Sequence, residues 1–374
     1  MNQKEAGELR RRFAPEKSTV RRVYGCYVNN TGEIVAYLDE PVSTMPAEES
    51  EQYLSLFKKT LSGTIGKNLI DIVFSTQQVV DSDEHRLLSA LRDSELQDEA
   101  AREVFYQTVI QSMDLDSSYV ILLAHNVYDV PYRGKDGDPF AEASDQVFSF
   151  IVCCVCPLKE GKASLSFCPA ENEFHSRVPS PTVCPPELGF LFPAFDDRAA
   201  NIYSALFYSR KPDALHQGFL DAVFRIEPPM SAVEQKETFQ TALSASLESA
   251  CSLEVVQTVY EQLNERIEQH KESKDPEPLA MTAREVGAIL TDSGVQEERV
   301  TAFCETCDRE FGEGTALNPA NLIGGKRFEV KTAEATISLN AEDSCLVETR
   351  IVDGRKYLLI PVGEGLEVNG MPVH

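Results

Sequence analysis

Two segments of this 374-residue chain, 119–128 and 147–157, are apolar almost without interruption. A strand with one wet face alternates apolar and polar residues, whereas a strand covered on both faces does not. Each segment is far shorter than the ~18 residues that a membrane-spanning helix requires. Both therefore predict strands at the centre of a sheet that carries helices on its two faces. The residues between them, 131–141, are polar and rich in Gly and Pro, and predict a loop.

The flanking sequence supplies the rest of such a layer. Strands are expected at 20–28 and 33–38, joined by the turn Asn29-Asn30-Thr31-Gly32. A helix over 46–61 is announced by Thr44 and Pro46 and stopped by Ser62-Gly63. Its Tyr53, Leu54, Phe57 and Leu61 share one face. A short basic helix spans 3–13 and ends before Pro15. A strand at 68–74 precedes helices at 83–92 and 95–113, the second opened by a capping box of Ser94 and Gln97. Residues 157–186 hold six prolines and predict a long irregular excursion. Strands at 189–195 and 200–209 and an amphipathic helix at 214–224 complete the region.

At Glu227-Pro228-Pro229 the pattern changes. Residues 231–311 read as helices throughout, with capping boxes at Ser231/Glu234 and Thr282/Glu285, and with Ser252 before a further helix. A charged, proline-broken linker interrupts them at 271–278. Beyond 326, short strands are expected at 328–331, 336–339, 346–352 and 356–362, with Asp353-Gly354 as a tight hairpin turn. The fold class expected is α+β. Its parts are an N-terminal mixed sheet with flanking helices (1–226), an acidic helical region (227–318) and a small C-terminal antiparallel β unit (319–374).

Lys and Arg number 35 against 60 Asp and Glu, a net charge of −25. That excludes a uniformly basic DNA coat, because phosphate binding is driven by cationic side chains. It also disfavours docking on an anionic membrane. The charge is uneven. Residues 227–313 hold 19 acidic and 7 basic residues, whereas residues 1–25 hold Lys4, Arg10, Arg11, Arg12, Lys17, Arg21 and Arg22 against three glutamates. Lys58, Lys59 and Lys67 add to this basic end. Arg10, Arg11, Arg12, Lys17, Arg21 and Arg22 are the candidate nucleic-acid contacts, and pairing with the chain's own carboxylates is the competing use.

Motifs for catalysis are weak. Gly63-Thr64-Ile65-Gly66-Lys67 lacks both the first glycine and the Ser or Thr of a phosphate-binding loop. Cys304 and Cys307 have the spacing of half a zinc site, on a helix where residues three apart share a face anyway. His125, at the end of an apolar strand and followed by Asp129, could act as a general base, or form a thiol site with a cysteine such as Cys156. Asp196 and Asp197 could bind a metal or simply make a turn. Glu171, Glu173 and His175 match no defined site. No metal and no cofactor is expected.

Ten cysteines in a chain of this length are too sparse for a disulfide scaffold. The N-terminus lacks the apolar core of a signal peptide, and only the short run 23–28 follows the arginine triplet. A cytoplasmic location is expected.

The run RRFAPEK at 11–17, GCYV at 25–28, FKKTLSGTIGK at 57–67, GFLFPAFDDR at 189–198, residues 261–273 and FEVKT at 328–332 together resemble a clostridial domain-of-unknown-function family over nearly the whole chain. The order of parts is also similar to that of NdpA-type bacterial nucleoid-associated proteins, with VILLAH at 120–125 and an apolar strand at 150–158. That second resemblance implies a cytoplasmic, non-enzymatic protein that contacts nucleic acid, or a nucleic-acid enzyme, through its basic N-terminal segment. The alternatives are a protein–protein module or homodimer built on the acidic helices, and a hydrolase or metal enzyme using His125, Asp129, Asp196 and Asp197. No membrane partner is expected.

Overall fold

The structure, a computed structural model, describes all residues except 134–138, 170, 178–179, 274, 276, 325–326, 363–365, 369–370 and 374. Only the backbone is described for 132–133, 139–145, 177, 341–342, 366–368 and 372–373. The chain divides into two compact units, Met1–Ser231 and Ala232–His374. The predicted helical region, from residue 232 on, and the predicted β unit both fall in the second.

The first unit begins with α1 (Gln3–Arg10), β1 (Arg22–Val28), β2 (Ile34–Pro41), α2 (Ala47–Thr60) and β3 (Leu69–Val73). Three helices follow, α3 (Thr76–Asp81), α4 (Asp83–Asp93) and α5 (Glu99–Ser112). Next come the long strands β4 (Tyr119–Arg133) and β5 (Pro139–Lys159), then β6 (Ser164–Cys168), β7 (Glu173–Arg177) and β8 (Thr182–Val183). The unit closes with β9 (Leu188–Phe192), β10 (Ala194–Asp196), β11 (Ala199–Asn201), β12 (Ser204–Ser209) and α6 (Gln217–Phe224).

Seven strands form the main sheet in the order β2-β1-β4-β5-β9-β12-β3, and β8 adds to β5 off this path. Alternate residues of β4 enter two separate cores. Ile121 and Leu123 pack with α4, α5 and α6 through Leu91, Phe105 and Phe219. Leu122 and Ala124 pack with α1 and α2 through Leu9, Leu54 and Phe57. The uninterrupted apolar run thus reflects two covered faces, as its composition predicts. The pairings of this sheet are all antiparallel among the described residues, where a mixed sheet is expected. Burial on both faces is commonest in parallel sheets. Here helices from distant parts of the chain cover an antiparallel one.

Three local expectations are corrected. The helix expected from residue 95 begins at Glu99, capped by the Asp98 carboxylate, which accepts from Ala101 N at 3.0 Å. Glu95 and Leu96 take positive φ of 51° and 64°, and Leu96 is fully buried, so the chain turns here to seat one leucine in the core. The 157–186 excursion contains the hairpin β6–β7 and strand β8 rather than irregular chain alone. Strands β4 and β5 run further than predicted, to Arg133 and from Pro139; the centre of the expected loop, 134–138, lies outside the described residues.

Close approach of backbones fixes Gly189 of β9. A Cβ there would stand 2.3 Å from Cys153 O and 2.6 Å from Thr60 Cγ2. The sheet's outer strands leave apolar side chains in solvent, Val35 and Tyr37 on β2 and Val73 on β3.

The second unit holds α7 (Ala232–Leu247), α8 (Leu253–Ser273), α9 (Ala283–Asp292), α10 (Glu297–Phe311) and α11 (Pro319–Ile323). Their core gathers Phe239, Leu243, Val259, Leu263, Leu290, Phe303 and Leu322. The expected caps form at Ser252, which accepts from Val255 N, and as a box at Thr282/Glu285. Helix α8 runs through the start of the expected linker, to Ser273. Hairpins follow: β13 (Arg327–Lys331) with β14 (Thr336–Asn340), β15 (Glu348–Val352) with β16 (Arg355–Leu359), and β17 (Leu366–Val368) with β18 (Met371–Val373). Asp353 and Gly354 have φ of 49° and 77°, as the tight hairpin turn requires. The buried Gln257 of α8 donates to Ser344 O at 2.6 Å and Val347 O at 2.8 Å, joining the β region to the helices.

Gly189→Ala is expected to lower stability by about 1–3 kcal/mol, since two backbones and Thr60 must yield. A urea midpoint equal to that of the parent chain would contradict the close approach.

Candidate functional site

The basic N-terminal segment is built into the α1–α2 layer. Asn2 and Glu5 form a reciprocal capping box at the start of α1. Ala6, Leu9 and Phe13 enter the core beneath. Gln3 donates to Gly63 O at 2.9 Å and accepts from Ile65 N at 3.0 Å, which fastens α1 to the turn after α2. The Phe13 and Phe57 rings lie 6.0 Å apart. Further on, Thr19 Oγ1 donates to Val127 O at 2.7 Å and anchors the entry to β1 on the end of β4.

Polar groups on this face form a linked cluster. Glu8 receives Arg198 Nη1 at 3.2 Å and the Tyr128 hydroxyl. Arg198 Nη2 also donates to Pro131 O at 3.1 Å. The Arg12 guanidinium lies over the Tyr128 ring, 3.8 Å from its centroid. Burial, then the bond to Glu8, raises the Tyr128 phenol. The Met1 amino group sits 3.3 Å from Asp71 and 3.7 Å from Asp196. Burial raises the Asp71 carboxyl, and the amino group opposes that shift.

The six predicted nucleic-acid contacts therefore divide. Arg12 is committed to Tyr128. Arg22 pairs with Asp39 at 2.5 Å, and the exposed Arg21 stands 3.9 Å from Glu95. Arg10, Arg11 and Lys17 make no ion pair among the described residues, and Arg11 and Lys17 are exposed. The same holds for Lys4, Lys58, Lys59 and Lys67, all exposed on the elements that Gln3 and Phe13 fasten together. Helix α2 is acidic in its first turn, at Glu48 and Glu49, and basic in its last, at Lys58 and Lys59. That arrangement suits the helix dipole and concentrates cations at the end beside the chain's basic segment. The sequence adds Lys58, Lys59 and Lys67 to the basic end; the packing that joins α2 to α1 is what it leaves open. The signal for it was the apolar face shared by Leu9, Phe13, Leu54 and Phe57.

The catalytic candidates are not brought together. His125 Nε2 lies 2.8 Å from Ser149 Oγ, and burial lowers its pKa. His125 and Asp129 are at odd positions of β4, on the side of Ile121 and Leu123; Asp129 is exposed. Asp196 adjoins the Met1 amino group and Asp71, on the opposite side with α1. Asp196 accepts from Asn201 Nδ2 at 3.1 Å, while Asp197 and Arg198 take positive φ in the β10–β11 turn. Cys156 belongs to the α1–α2 core, across the sheet from His125. General acid–base work needs hydrogen-bond reach, which the sheet denies these groups.

Potential metal ligands are likewise scattered. His175 Nε2 is 2.7 Å from Glu171 and 3.8 Å from Glu173 on the β6–β7 hairpin. Cys307 is buried in the helical core, which pushes its thiol up to about 12, and Cys304 Sγ approaches Ala283 O at 3.6 Å. Among the described residues no three His, Cys, Asp or Glu side chains gather as a metal-binding group. The Gly63–Lys67 segment is a turn in which Gly66 N donates to Leu69 O at 2.7 Å.

Two stability measurements follow. Glu8→Gln leaves the Arg198 guanidinium, 25% exposed, without its counter-charge and is expected to cost about 1–3 kcal/mol. Adding Arg198→Met should restore part of the loss, because no uncompensated charge then remains; a double variant no more stable than Glu8→Gln contradicts the pairing. Burial lowers both His125 and His216 from 6.5. Their share of stability is thus complete above 6.5 and is lost as pH falls through the lower folded values. His125→Gln should flatten the acid limb of a Tm–pH profile, and an unchanged limb would remove the assignment.

No curated protein matches the chain. Among families, the model of a domain of unknown function, DUF4317, matches residues 1–371, a match that lends no support to the nucleoid-associated resemblance. With all but three residues matched, the chain belongs to the DUF4317 family of domains of unknown function.

Proposed function

We propose that this protein is a binding protein, not a catalyst, and that it contacts the phosphate backbone of nucleic acid through the cationic end of the α1–α2 layer. The observation that carries the reading is the meeting of Lys58 and Lys59, at the end of α2, with the segment that bears Lys4, Arg10, Arg11 and Lys17. These side chains have no ion-pair partner among the described residues. The net charge of −25 does not oppose a small contact site. At physiological ionic strength the Debye length is about 8 Å, so carboxylates further away are largely screened. The same charge keeps the contact confined to this end, and counterion release from the phosphates makes its affinity fall with salt.

Fluorescence anisotropy with a labelled DNA duplex tests the reading. Log affinity should fall with log salt with a slope near −0.9 per neutralised phosphate. Lys58→Ala/Lys59→Ala should reduce that slope by about 2, and Arg10→Ala/Arg11→Ala similarly. Arg22→Ala should leave it unchanged, since Asp39 already neutralises that side chain. No binding at low salt, or binding indifferent to salt, would overturn the proposal.

A further inference from the structure

The second unit contains a concavity opposite in sign to the helical region around it. A cavity of about 800 Å³ opens between α7, the start of α8, the end of α11 and β13. Lys236 enters from α7, and Arg327 and Lys331 from β13. Glu329 is the one carboxylate among the described lining residues, and it pairs with Lys331 at 3.1 Å. Residues 227–313, which supply most of the helical part of the wall, carry 19 acidic and 7 basic residues, whereas the described lining holds three cations to one anion.

The lining has a cationic part and an aromatic part. Lys236 is half-buried and makes no ion pair among the described residues. Its side chain lies across Gly324, where a Cβ would stand 2.6 Å from Nζ and 2.7 Å from Cδ. Gly324 has a φ of 71°, a backbone conformation that favours glycine. The half-buried Lys236 side chain thus lies along the cavity wall. Arg327 engages Ser338 Oγ at 3.3 Å through one donor of its guanidinium. The Gln240 amide donates to the Tyr260 hydroxyl at 3.3 Å, orienting the ring. Tyr260 meets Phe328 edge to face at 5.5 Å, making an aromatic wall next to the cations. The volume lies within the roughly 300–1,000 Å³ common for small-molecule sites.

We infer that this cavity binds a phosphorylated small molecule that carries a flat ring, of mononucleotide size. Its phosphates would lie against Lys236, Arg327 and Lys331, and its ring against Tyr260 and Phe328. The inference goes beyond the proposed nucleic-acid contact, which concerns other residues of the first unit.

Isothermal titration calorimetry on the full chain tests it, with ATP, inorganic pyrophosphate and adenosine as probes. ATP should bind more tightly than pyrophosphate, and adenosine most weakly. Lys236→Gln and Arg327→Gln should each weaken ATP about tenfold, the scale of one charge-assisted bond. Lys331→Gln provides a further variant should either alter the circular dichroism spectrum. Lys58→Ala/Lys59→Ala should leave ATP affinity unchanged, which separates this cavity from the cationic face. The inference is overturned if ATP does not bind at millimolar concentration or binds no better than pyrophosphate. It is equally overturned if ATP loses affinity on substitution of Lys58 and Lys59 but not of Lys236 or Arg327.

Discussion

The first unit depends on one pairing, that of β4 with β5. These strands send alternate residues into two cores, so each stabilises two helical layers at once. Phe150 and Val152 of β5 serve the side of α1 and α2, and Ile151 and Cys153 the side of α4, α5 and α6. A residue at either strand that disturbed the register would exchange the two sets of side chains between cores of different shape. The constraint explains why the cysteines here are apolar filling. Cys153 and Cys154 are fully buried, with thiols raised by burial, which keeps them from acting as nucleophiles.

Much of the fold was legible because periodicity and capping act locally. The limits of α2 and α4, the caps at Ser252 and Thr282, and the Asp353-Gly354 turn follow from a few neighbouring residues. What was not legible depended on distant partners. Ser94 and Gln97 satisfy a capping pattern, yet burial of Leu96 and the competing Asp98 carboxylate move the helix start. The antiparallel sense of the whole sheet is set by which strands meet, and local patterns carry little of that.

The candidate site shows the same division. Its cations were visible as a cluster in sequence, but their availability was not. Tyr128, Asp39 and Glu95, distant in sequence, engage Arg12, Arg22 and Arg21. Lys58 and Lys59 become neighbours of the basic segment only because Phe13 packs on Phe57 and Gln3 bonds to the turn after α2. Likewise His125 and Asp196 look alike as strand-end residues, and the sheet sets them on opposite sides.

The sheet's two outer strands, β2 and β3, carry features that limit their growth. An unpaired edge strand with exposed Val35 and Tyr37, such as β2, is a template onto which a second copy could add a strand. Glu40 stands in that same strand, which Pro41 ends, and β3 at the far edge is only five residues long. Neither a proline nor a short strand sustains a long ladder. The end of β2 at Pro41 and the brevity of β3 thereby limit how far either edge could extend a ladder to a second copy.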